Sequence, residues 1–120
     1  MYNFSEKEFE CRCGKCGLGF KDMDPKTIQR IEAARIIAGV PFFITSGIRC
    51  KEYNQKIGGS KTSSHLIGSA VDIRSKTDIE RYTIVYAAKK AGFTRIGIGK
   101  DFIHVDDDIK KDKKVCWIYQ

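Results

Sequence analysis

The chain has two histidines, and each sits near carboxylates: Asp72 follows His65 within SSHLIGSAVDI, and Asp101 and Asp106 flank His104 within KDFIHVD. A catalytic zinc site needs three protein ligands of N, O or S type and leaves a fourth tetrahedral position to water. His65, Asp72 and His104 would make such a set. On spacing alone the signal is weak, because a polar histidine satisfied by a nearby carboxylate reads the same way. A second group of metal-capable side chains is CRCGKC, with Cys11, Cys13 and Cys16, joined at a distance by Cys50 and Cys116. Five is an odd number, so at least one thiol has no partner within the chain. Without a secretory leader the thiols are expected to be reduced at synthesis.

These residues need elements to hold them. In DPKTIQRIEAARIIAG, Asp24 is a plausible N-cap, Pro25 takes the first helical position, Ile28, Ile31, Ala34 and Ile37 recur at helical spacing, and Gly39 ends the run. A second helix is predicted in TDIERYTIVYAAKKAG, capped by Thr77 or Asp78, with Ile79, Tyr82, Ile84, Val85 and Ala88 mostly along one side and Gly92 as terminator. PFFITSGIR reads as a strand stopping at Ser46 and Gly47. CKEYNQKIGGSKTSS reads as a short helix or turn that breaks at Gly58 and Gly59. GSAVDIRS is another strand, and FTRIGIGKDFIHVDDD and KVCWIYQ supply two or three more.

Within this frame His65 lies in a loop before the strand of Asp72, and Gly68, Ser69 and Ala70 let the backbone turn between them. Alternation in FIHVD puts Phe102, His104 and Asp106 on one face and Ile103 and Val105 on the other. Residues 1–24, a Cys/Gly-rich segment, combine a short amphipathic start with CRCGKCGLGFKDMD, which shows neither period and is expected to be a loop pinned by contacts or cross-links. Two alternatives for it are a metal knuckle, whose fourth ligand would be Cys50 or Cys116, and redox chemistry. The whole is an α+β pattern, with helices against a small, mainly antiparallel sheet.

At 120 residues there is room for one core, so a single domain over 1–120 is expected. No apolar run approaches the roughly 20 residues that cross a bilayer, and MYNFSEKEFE is unlike a secretory signal. The expectation is a protein made in the cytoplasm, without stable membrane insertion and monomeric. Its net charge of +7 would draw it towards nucleic acid, an anionic membrane or an anionic cell-wall polymer, with a simply solvated basic surface as the expectation. No arginine-rich helix or aromatic-basic signature accompanies that charge, which argues against a nucleic-acid partner.

The pattern SxHxxGxAxD in SSHLIGSAVDI, with ITSGIRC and EYN upstream and DFIHVD downstream, resembles the zinc D-Ala-D-Ala carboxypeptidase family, including its phage endolysin members. Four separated blocks agree over roughly residues 42 to 106. The resemblance implies a Hedgehog/DD-peptidase-like fold, Zn2+ held by His65, Asp72 and His104, and Asp101 as general base. It implies that Arg49 polarises the scissile carbonyl and that Ser63 hydrogen-bonds substrate, with a loop-cap role for Ser63 as the alternative. It also implies a peptidoglycan substrate, cut at either the L-Ala-D-Glu or the terminal D-Ala-D-Ala bond, and action at the bacterial cell wall after phage-mediated or other release. Small phage members carry similar cysteine and glycine clusters near their start.

The competing reading is a noncatalytic zinc-containing binding or signalling module of the same fold, against which the presence of both Asp101 and Arg49 argues. Tyr53 and Asn54 are expected to support the site by packing, and Cys50 to pack. Trp117 and Tyr119 could line the cleft, but as aromatics on a terminal strand they are expected in the core. Asp106 could orient His104, but a solvated acidic turn with Asp107 and Asp108 is the expectation.

Overall fold

The computed structural model describes residues 3–120; the first two residues of the expected amphipathic start lie outside the described residues. The chain order is two 3-10 turns at Glu6–Phe9 and Phe20–Asp22, α1 at Pro25–Ala38, β1 at Ile44–Ser46, α2 at Lys51–Lys56, a 3-10 turn at Ser64–Ile67, β2 at Ala70–Arg74, α3 at Asp78–Lys90, β3 at Arg95–Ile98, β4 at Phe102–Asp106 and β5 at Val115–Ile118.

Local chemistry sets the helix ends. The Asp24 carboxylate accepts the Lys26 amide at 2.9 Å, Pro25 lacks an amide that the first turn would leave unpaired, and Gly39 closes α1 in the left-handed region at φ 69°. At α3, Thr77 Oγ1 accepts the Glu80 amide while the Glu80 carboxylate accepts the Thr77 amide, a reciprocal cap.

The buried face of α3 agrees with expectation in part: Ile84 and Ala88 are buried, joined by Ala87, whereas Ile79 and Tyr82 are 80% and 74% exposed. Small residues let α3 lie against α1, where Ala34 is also fully buried. Ile31, Ile73 and Ile103 are fully buried in the layer between helices and sheet, each adding ~1.5–3 kcal/mol over an exposed position.

The sheet order is β1-β2-β4-β3-β5, antiparallel throughout except for the parallel β3/β5 pair. This is the α+β arrangement expected. Val71, Ile73, Ile103, Val105 and Ile96 point to the helices. On the opposite face the register aligns one row across all five strands: Ser46 beside Asp72, Asp72 beside His104, His104 beside Gly97, and Gly97 beside Trp117. Gly97 is required there, since a Cβ would meet the Trp117 ring at 2.6 Å.

Candidate metal centre

His65 is presented by the 3-10 turn. Ser63 Oγ accepts the His65 amide at 3.2 Å at its start, and Gly68 ends it at φ 72°, where a Cβ would collide with the Asp22 carbonyl. The ring is fixed from behind: Nδ1 donates to the Gly47 carbonyl at 2.7 Å, leaving Nε2 3.1 Å from Asp72 Oδ1. Gly47 cannot retreat, because it lies against the backbone of Phe9, whose carbonyl accepts the Ile48 amide. Burial lowers the His65 pKa below the usual imidazole value, against the pull of Asp72.

His104 is held by the sheet. Its Nε2 lies 2.7 Å from Asp106 Oδ2, two residues along the same face of β4, and its Nδ1 lies 3.0 Å from Asp72 Oδ1 across the β2/β4 register. Burial disfavours the charged ring, but the bonds with Asp106 and Asp72 outweigh it and raise the pKa. Asp106 is not part of a solvated acidic turn, as the run of three aspartates suggested. It is 1% exposed, and its other oxygen accepts Arg95 Nε at 2.8 Å. Asp107 instead pairs with Arg30 at 2.7 Å, and Asp108 accepts the Ser64 hydroxyl at 2.7 Å. Each carboxylate of the run serves a different element.

Asp72 is the hub. Burial pushes its carboxyl up, yet the bonds to His104 and His65 hold it well below the usual carboxylate range. Its second oxygen lies 3.2 Å from Arg49 Nη2. Arg49 is not a surface residue: its Nε donates to Ser46 and its Nη1 to Asn54, while the Asn54 amide donates to the Ser60 carbonyl. Gly59 leaves the space that Asn54 fills. The role of Asn54 is therefore to clamp Arg49, rather than apolar packing.

A cleft of about 380 Å³ opens over these groups. Trp117 and Tyr119 form its wall and do not enter the core; their rings lie 5.5 and 6.3 Å from that of His104, and the Arg95 guanidinium stacks 5.0 Å from the Trp117 ring. Ser63 lines the cleft. Asp101 does not; it lines an adjoining shallow depression that shares Arg49, Asp72 and Phe102 with the site. Arg95 and the Gly47 carbonyl escaped sequence reasoning. Alternation along RIGI places Arg95 on the site face, but no local signal identifies its partner.

The donor chemistry fits a divalent cation. One ligand atom from each of His65, Asp72 and His104 lies within 4.8 Å of the others. With a divalent ion present, Gly47 and Asp106 would keep the outer N–H of each neutral ring, and the inner nitrogens would turn their lone pairs, with the Asp72 carboxylate, to the ion.

The family model for Peptidase M15 matches residues 2–106. Among solved structures, the fold is similar to the L-Ala D-Glu endopeptidase ChiX of Serratia marcescens, with a TM-score of 0.58 and 24% identity over 75% of this chain and 84% of that one. A search of curated proteins finds no match. A match over most of the chain, on a fold that carries its two histidines and Asp72 to one point, places this protein in the peptidase M15 family.

Proposed function

We propose that residues 1–120 form one zinc-dependent peptidase domain that hydrolyses a peptide bond in the stem peptides of bacterial peptidoglycan, with the L-Ala-D-Glu bond preferred over terminal D-Ala-D-Ala. The observation that carries this reading is the convergence of His65, Asp72 and His104 beneath a cleft on an M15 fold. The preference between bonds follows the endopeptidase whose structure this one resembles.

His65 Nε2, Asp72 and His104 Nδ1 would hold the metal. When bound, zinc supplies Lewis-acid polarisation of the substrate carbonyl and lowers the pKa of a bound water to about 7. Gly47 and Asp106 fix the tautomers of the two rings, so neither imidazole can rotate away. Arg49, locked by Ser46 and Asn54, presents fixed positive charge beside Asp72, where the carbonyl oxygen gains charge. Asp101, in the depression that adjoins the cleft, would take the proton of the attacking water on its carboxylate and return it to the leaving amine. Trp117 and Tyr119 hold the peptide against the metal side of the cleft. The net charge of +7 favours approach to an anionic wall, where a protein released by a phage or a cell would act as a monomer. No helix among the described residues is long and apolar enough to cross a membrane.

The test is mass spectrometry of purified peptidoglycan digested by the protein, beside Asp101→Ala and a chelated sample. New termini in the first sample alone support the reading and name the bond. An intact wall with zinc still bound per chain would transfer the protein to the noncatalytic class.

A further inference from the structure

Residues 11–16 of the N-terminal segment fold against Cys50, the N-cap of α2, and four of the five sulfurs meet there. One Sγ from each of Cys11, Cys13, Cys16 and Cys50 lies within 4.8 Å of the others. Cys116, on β5, is not among them. Around a tetrahedral zinc with Zn–S of about 2.3 Å the sulfurs stand about 3.8 Å apart, so closing on an ion asks for shifts of about 1 Å.

Every one of the four sulfurs also accepts a backbone amide. Cys13 Sγ receives Lys15 and Cys16 at 3.4 and 3.3 Å, Cys16 receives Leu18 at 3.4 Å, Cys11 receives Cys50 at 3.3 Å, and Cys50 receives Tyr53 at 3.4 Å. Amides aimed at sulfur stabilise thiolate over thiol, which is the form a metal binds. The Cys13-x2-Cys16 turn depends on glycine on both sides of its second half, with Gly14 at φ 73° and Gly17 at φ 79°. Arg12, Lys15, Lys51 and Lys56, with Glu52 as the one carboxylate, line a depression that contains Cys13, Cys16 and Cys50, and its net positive charge offsets the net −2 of four thiolates around a divalent ion.

We propose that Cys11, Cys13, Cys16 and Cys50 form a second metal site, a structural tetrathiolate zinc centre separate from the His65–Asp72–His104 cluster. Soft thiolates select zinc over the hard cations, and four ligands leave no open position for catalysis. The site ties residues 11–18 to the residue that follows Arg49. It thereby stiffens the loop from Gly47 to Cys50, which supplies both the carbonyl behind His65 and the guanidinium beside Asp72.

The test is metal content by mass spectrometry after expression and purification with zinc under reducing conditions. About two zinc ions per chain are expected for the wild type, one for His65→Ala/His104→Ala, and two for Cys116→Ser. Cobalt loaded into the wild-type chain gives the same answer without mutation: thiolate-to-cobalt charge-transfer absorption can arise only from the sulfur site, and Cys13→Ser/Cys16→Ser should abolish it. The proposal is overturned if His65→Ala/His104→Ala binds no zinc while all its thiols react freely, or if intact masses show the four cysteines paired as disulfides in freshly reduced and refolded protein. Neither result depends on whether the chain cleaves peptidoglycan.

Discussion

The two metal-capable clusters are built in opposite ways. His65, Asp72 and His104 are buried on a sheet whose register aligns Asp72 with His104, and each ring is anchored by a second group. Their sequence spacing is wide, and the fold supplies the geometry. The four cysteines include three within six residues, carried by a loop that runs from the buried Cys11 to the exposed Cys16, with glycines in left-handed turns beside Cys13 and Cys16. There the local sequence supplies the turn, and an ion would supply the rigidity. A preorganised site can bind substrate and still keep its shape, whereas a loop-borne site contributes its binding energy to folding.

The sharpest test of this contrast replaces one ligand in each cluster. His65→Ala should reduce peptidoglycan cleavage to background while circular dichroism keeps its folded form. Cys16→Ser should lower the melting temperature by several degrees, at about 4–8 °C per kcal/mol for a chain near this size, while cleavage per folded molecule stays closer to wild type. A Cys16→Ser protein with unchanged melting temperature and lost activity would reverse the assignment.

Next in size is Arg49→Ala, which removes charge from the sheet site without removing a ligand. Cleavage should fall about 10²–10³-fold with zinc content intact. Loss of zinc in that variant would make Arg49 a support for Asp72 instead of a group acting on substrate.

Asp106→Asn sharpens the comparison further, because it weakens an anchor that the cysteine cluster lacks. Zinc affinity at the histidine site should drop about 10–100-fold, read by competition with a chelator, and cobalt bound to sulfur should be undisturbed. Equal loss from both sites would mean a global effect on the fold.

The smallest effect concerns the outer support of His65. Burial pushes the Asp108 carboxyl up, but hydrogen bonds from the Ser64 hydroxyl and the Lys110 amide, with Lys111 nearby, hold it below the usual carboxylate range. A lowered folded-state pKa gives stability that is complete above the ordinary value of about 4 and is lost as pH falls through the lower folded value. Asp108→Asn should therefore melt earlier than wild type at neutral pH, and the gap should narrow in acid. A constant gap across that range would show that charge is not what Asp108 contributes.

Much of this organisation was legible in the residues. Asp24-Pro25 and Gly39 mark α1, Thr77 and Glu80 mark α3, and alternation in FIHVD separates His104 from the core, because each signal acts within a few residues. The histidines stood out because no other imidazole is present. What stayed hidden depends on partners far away in the chain. Three consecutive aspartates look solvated until Arg95, Arg30 and Ser64 are brought to them, and Cys50 and Cys116 stand level as companions of the N-terminal thiols until the loop folds onto Cys50. On α3 the apolar periodicity marks Ile84 and Ala88, which are buried, but also Ile79 and Tyr82 in the first turns, which are exposed, while close approach to α1 adds Ala87.

The row of residues across the sheet has a consequence for how such a protein can change over time. Its chemistry-bearing members lie on the interior strands β2 and β4, where a one-residue insertion would turn every side chain to the wrong face. Trp117 sits at the opposite end, on an edge strand bonded to one neighbour only. Exchange of that border can retarget the cleft to a different peptide while the centre is inherited unaltered, so new specificities can arise by drift at the margin of the sheet.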